Sequence, residues 1–269
     1  MQSRIDLNRF YQGLDDLFHQ KDSRQTMDYL ERWLQEAQHK QDTSGLVAVS
    51  NELGGLCRAM GQIERAKELY RNVLMHLEHM GLVHSEHYAT ALINTGDVYV
   101  NSRELPEALR YFLRARDLLV ECGLAGDYRM AALNNNISMV YRDTGEFDKA
   151  EQALDIAFRI IRGIPECRSE LATTYINLGE LQVRQNKLEM ARESFEEACR
   201  IFEEDGGGDV HYSSACAGLG QVFYLKDRLP EAVRWYEKAL KLMERDFGRT
   251  EYYKTLEANL AKLKASCIL

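Results

Sequence analysis

Three asparagines, Asn94, Asn136 and Asn177, recur at intervals of 42 and 41 residues. A carboxamide offers both a donor and an acceptor, which suits the N–H and C=O groups of an extended peptide. At ~0.5–1.5 kcal/mol net per pair, three rungs supply ~1.5–4.5 kcal/mol, or roughly tenfold to a thousandfold in affinity. Asparagine costs up to ~0.7 kcal/mol relative to alanine inside a helix, so the run Asn134-Asn135-Asn136 in "LNNNIS" calls for a reason. A periodic ladder serves equally well to tie neighbouring helices in order, and both readings stand at the level of sequence.

The positions around the ladder are also periodic. Four residues earlier stand Ala48, Thr90, Ala132, Thr173 and Ser214, all small enough to leave room for a ligand backbone. Three residues after the ladder come Gly55, Asp97, Met139, Glu180 and Gln221, and farther along Arg58, Arg142, Asp143 and Arg184. The candidate groove therefore comprises Asn94, Asn136, Asn177, Thr90, Thr173, Asp97, Glu180, Arg58, Arg142 and Arg184, polar and of mixed charge. Catalytic signatures are a different matter: no GxxxxGK[ST], GxGxxG, GxSxG or HExxH is present, so neither an enzyme nor a cofactor is expected. His76, His79, His84 and His87 cluster in "HLEHMGLVHSEH". A Zn-type site is conceivable there, but a solvated helix end is the simpler reading, and no metal is expected.

These side chains need a scaffold with the same period. The small residues Gly54, Gly96, Ser138, Gly179 and Gly220 are each followed twelve positions later by Ala66, Ala108, Ala150, Ala191 and Ala232. A large apolar residue (Ile63, Leu105, Phe147, Leu188, Leu229) sits three before the alanine, and Tyr70, Phe112, Leu154, Phe195 or Tyr236 four after it. Offsets of three and four place them on one helix face. Between the small residue and the alanine, Gly61, Gly145, Asn186 and Asp227 tolerate left-handed backbone and end the first helix, with Arg103 as the exception in type. Pro106 and Pro230 follow at the opening of the second helix, where a missing N–H does no harm. Each unit reads as helix, tight turn, helix.

The pattern resembles the tetratricopeptide repeat, on the "LG" of "ELGGL" and "NLGEL", the alanine opening the second helix, the aromatic four later, and the second small residues Ala115, Ala157, Ala198 and Ala239. At about 42 residues the units exceed the common 34 and look like those of kinesin light chains and bacterial peptide-sensing regulators. The resemblance implies an all-α fold, a right-handed superhelical α-solenoid of antiparallel helix pairs, with first helices lining the concave side. One solenoid is expected over 1–269: a degenerate hairpin over 4–41, repeats over 47–88, 89–130, 131–171, 172–212 and 213–250, and a capping helix over 251–265. It implies a protein- or peptide-binding scaffold or, alternatively, a peptide-responsive regulator.

Composition agrees with this. The chain of 269 residues has a net charge of −8, which disfavours nucleic acid as the partner. No run of 18 apolar residues suggests a membrane span, the start lacks a basic region followed by an apolar one, and a cytoplasmic location is expected. Six cysteines without a CxxC read as free thiols. In the tail "SCIL", Cys267 is third from the end, so a prenylation signal is not formed.

Overall fold

The computed structural model describes residues 4–20 and 22–266, which excludes Cys267 and the rest of the "SCIL" tail beyond Ser266. Thirteen α-helices and no strand are found among the described residues, so the protein is an all-α helical solenoid. Contacts divide it into two compact units, Met1–Ala125 and Gly126–Leu269.

The first unit holds three hairpins: α1 (Leu7–Gln20) with α2 (Ser23–His39), α3 (Thr43–Ala59) with α4 (Ile63–His79), and α5 (Glu86–Asn101) with α6 (Leu105–Glu121). The second holds α7 (Tyr128–Asp143) with α8 (Phe147–Ile161), α9 (Arg168–Arg184) with α10 (Leu188–Glu204), and α11 (Tyr212–Leu225) with α12 (Leu229–Phe247), followed by α13 (Glu251–Ser266). In each unit a first helix packs on its own second helix and on the next first helix: α3 on α5, α7 on α9, α9 on α11. First helices therefore form a layer of their own. They begin a few residues ahead of where the small-residue columns suggest a boundary, because the caps lie upstream: the Ser85 hydroxyl accepts from the Tyr88 N–H at 3.2 Å and the Asp127 carboxylate from the Arg129 N–H at 2.9 Å.

The column of small residues has a specific job. A Cβ added to Gly54 would lie 2.8 Å from the Tyr70 ring, on Gly96 2.4 Å from Phe112, on Gly179 2.8 Å from Phe195, and on Gly220 2.7 Å from Tyr236. Each glycine thus lies flat against the aromatic ring sixteen residues ahead, on the second helix of its own hairpin. At each of these crossings glycine faces aromatic. In the one copy with Ser138, the residue sixteen positions ahead is the smaller Leu154, so the summed volume of the two columns is roughly conserved. The alanines Ala66, Ala108, Ala150, Ala191 and Ala232 are all fully buried.

The turns after the first helices share one conformation. Gly61 (φ 74°), Arg103 (φ 63°), Gly145 (φ 82°), Asn186 (φ 59°) and Asp227 (φ 57°) are all left-handed. Arg103 is thus exceptional in type and not in conformation. The following N–H closes the turn in the same way each time, for example Glu104 N–H to the Tyr99 carbonyl at 2.9 Å. The repeat geometry imposes the backbone and the arginine accepts its cost.

Candidate functional site

The asparagines lie on the first helices, half-buried at Asn94 on α5, Asn136 on α7 and Asn177 on α9. Asn94 Nδ2 donates to Asn51 Oδ1 on α3 at 2.8 Å, so one of its amide hydrogens ties two repeats together. Asn51 Nδ2 in turn lies 3.4 Å from Glu52 Oε1, and the Tyr70 hydroxyl donates to the Asn51 carbonyl at 3.3 Å. The Asn94 carbonyl and its second N–H are not used by that bond.

The neighbours of Asn136 turn out to be structural. Asn134 is buried and its Nδ2 donates to the Met130 carbonyl at 2.7 Å within its own helix. Asn135 is also buried, and its Nδ2 donates to Thr174 Oγ1 on α9 at 2.9 Å. Thr174 Oγ1 gives its only hydrogen to the Glu170 carbonyl at 2.8 Å, so it can only accept from Asn135. That fixes the amide with Nδ2 toward Thr174, and the buried Asn135 Oδ1 has no hydrogen-bond partner. Asn51 and Asn135 occupy the same column, and both bridge to the next first helix.

The charged residues assigned to the groove separate into two groups. Arg142 is ion-paired with Asp143 at 2.9 Å and also with Glu180 across α7 and α9, so these side chains neutralise one another. Arg58 and Asp97 sit near Tyr70 in the first unit; desolvation raises the Asp97 carboxyl to about 6, with Arg58 opposing the shift. Arg184 is exposed at the end of α9. Thr90 and Thr173 each donate to a carbonyl one turn back, Glu86 and Ser169, at 3.0 Å, which occupies their only donor within their own helix.

Each unit has a groove of its own over these columns. In the first, a cavity of about 400 Å³ is bounded by Ala48 and Asn51 of α3, Thr90 and Ala91 of α5, Val73 and Leu77 of α4, and Leu7 and Tyr11 of α1. Its walls are mostly apolar, in contrast to the polar groove expected from the first helices alone. In the second, one of about 450 Å³ runs from Glu180 past Ser214, Gly218 and Gln221 to Tyr236 of α12 and Asn259 of α13. Gly218 stands in the asparagine column there; a Cβ on it would lie 2.4 Å from the Phe195 ring. Tyr11, Leu77 and Asn259 were not marked by the columns, and Tyr236 was marked only as a packing position of its second helix.

Of the histidine cluster, His84 Nδ1 lies 3.3 Å from Glu121 and His87 borders the first cavity. Among the described residues no group of three or more His, Cys, Asp or Glu is placed to hold a metal. No helix there is long and apolar enough to cross a membrane.

Comparison with known proteins places this architecture. Family models described as tetratricopeptide repeat match residues 129–204 and 213–250. No curated protein matches the sequence. Among solved structures, a Rap protein complexed with competence and sporulation factor is similar with a TM-score of 0.72 and 20% identity over 85% of this chain and 60% of that one. The chain thus spans less than two thirds of the Rap protein. The apo form of the quorum sensor NprR from B. thuringiensis gives a TM-score of 0.71 and 15% identity over 97% of this chain and 72% of that one. The nearly identical TPR-like repeats of a putative kinesin light chain from Podosopora anserina give 0.59 and 14% over 74% and 95%. Residues 129–204 and 213–250 are thus tetratricopeptide repeats, spanning α7 to α12, and the helical architecture of the chain is that of these solved structures.

Proposed function

We propose that the protein is a non-enzymatic scaffold, working in the cytoplasm, that binds an extended peptide or protein segment along its first helices. Asn94 in the first unit and Asn136 and Asn177 in the second hold the ligand backbone, and Asp97, Glu180, Arg58, Arg142 and Arg184 set preferences beside it. The observation that carries this reading is that each unit, taken alone, has a cavity floored by the same small-residue column: Ala48 and Thr90 in one, Ser214 in the other. The free state of the five described cysteines suits a reducing compartment.

The test is selection of binders from a random peptide library on the full chain, followed by titration. Asn136→Ala with Asn177→Ala is expected to weaken the selected peptide by roughly tenfold or more. Unchanged affinity, with the variant folded, sinks the ladder reading.

A second reading is favoured by the likeness to a Rap protein complexed with a signalling factor and to a quorum sensor: a regulator whose shape answers to peptide. Small-angle scattering separates the two, since a regulator contracts on binding and a rigid scaffold does not.

A further inference from the structure

We propose that the groove of the second unit carries a rung beyond the asparagine ladder, Asn259 of α13, which together with Ser214 and Gln221 forms a neutral subsite for one carboxamide side chain, Asn or Gln, of a bound peptide. This rests on the peptide-binding reading and specifies one residue of its ligand.

The last helix keeps the period of the repeats. One step of 41 residues leads from Gly218 to Asn259, from Ser214 to Thr255 and from Gly220 to Ala261, so Asn259 stands in the column of Asn94, Asn136 and Asn177. The buried positions keep the same step: Tyr212 and Tyr253, Leu219 and Leu260, and Val222 and Leu263 are each 41 apart, and all six are buried. Equal phase on the buried face of a helix fixes equal phase on its open face. α13 also packs on α12, the second helix before it, as α11 does on α10. The capping helix therefore presents its asparagine as a first helix does, and Thr255 and Asn259 both bound the groove.

The chemistry at this point is neutral. Among the described residues bounding the groove the charged side chain is Glu180, and it is ion-paired with Arg142. Gln221 stands where Asp97 and Glu180 stand in their own repeats, an amide in place of a carboxylate. Ser214, Gln221 and Asn259 are exposed, and their side chains make no hydrogen bond or ion pair among the described residues. The adjoining cavity that shares Asn259 is bounded by Asp227 and Lys262, one charge of each sign. Each of the three polar groups offers both a donor and an acceptor. A charged side chain entering here gives up water with no counter-ion to replace it, and an aliphatic one leaves polar groups facing nothing. A carboxamide answers donors and acceptors together. Tyr236 and Leu256 supply apolar wall for its methylene groups, and at about 450 Å³ the groove lies at the small end of ligand pockets, sized for one residue of a peptide.

Positional-scanning hexapeptide pools, acetylated and amidated so that only side chains differ, are titrated against the full chain. The expected result is one position at which Asn or Gln is preferred over Asp, Glu, Lys and Leu by about tenfold, a preference that holds as salt rises. Asn259→Leu and Gln221→Leu should each lower it by about threefold or more and keep the preferences at other positions. Asn259→Asp should move it toward Lys and Arg and make it fall with salt, a gain that only a folded variant can show. Asn177→Ala, in the ladder, should weaken every pool alike. Absence of an Asn or Gln preference at every position, or a preference that both Asn259 variants leave untouched, overturns the inference and leaves peptide binding standing. Absence of binding to every pool overturns both.

Discussion

Asn94 Nδ2 donates to Asn51 Oδ1 at 2.8 Å, joining α3 to α5 across 43 positions of sequence. One amide of the ladder is thus already a structural tie, and its remaining donor and acceptor are what a ligand can use. Asn51→Ala removes the tie and frees Asn94. The expected outcome is a loss of about 1 kcal/mol in urea unfolding, with peptide affinity retained; a loss of affinity as large as that of Asn94→Ala assigns both amides to the ligand.

Gly96 lies against Phe112 so closely that a methyl group has no room. Gly96→Ala should therefore destabilise by about 1–3 kcal/mol through overpacking, even though alanine is the better helix former by about 1 kcal/mol. Adding Phe112→Leu should recover part of the loss, since Ser138 with Leu154 is the natural precedent in the same chain. A double-mutant cycle in denaturant measures the coupling.

Arg103 carries a left-handed backbone, φ 63°, at a turn where two other repeats use glycine. Arg103→Gly is expected to stabilise the first unit by about 1 kcal/mol, because the strain of a side chain at that φ is removed. Equal or lower stability shows that contacts of the arginine outweigh the strain.

Asp97 has its carboxyl raised to about 6 by desolvation, above its value in an unfolded chain. The folded state then binds the proton more tightly, so stability rises as pH falls from about 6 toward 4 and the penalty is full above 6. At ~1.4 kcal/mol per pKa unit, with partial solvent screening at this part-buried position, the effect is of order 1–2 kcal/mol. Asp97→Asn should flatten the difference between unfolding at pH 7 and at pH 5; a slope of the opposite sign removes this account.

The ladder, the turns and the helix pairs were legible because each rests on a column repeated at constant spacing, and spacing reports a helix face directly. What columns do not report is the far side of a contact. Gly54 and Tyr70 occupy two strong columns, yet that one ring covers the other glycine follows only from the crossing of the hairpin. Asn135 and Asn136 differ by one position, or 100° around α7, and that rotation separates a buried bridge to Thr174 from a half-buried rung. The apolar cavity of the first unit was missed for the same reason: Leu77 lies on a second helix and Leu7 and Tyr11 on α1, outside the columns that drew attention.

Gly218 fills the asparagine column of the last repeat because the Phe195 ring takes the space a side chain needs. Lengthening the ladder by one rung is therefore not a single step for evolution. Gly218→Asn is a defect until Phe195 shrinks, and a shrunken Phe195 leaves Gly179 facing a void on its other side. The number of polar rungs is held constant by epistasis among Gly179, Phe195 and Gly218, so new specificities in this scaffold are more accessible through changed rungs than through added ones.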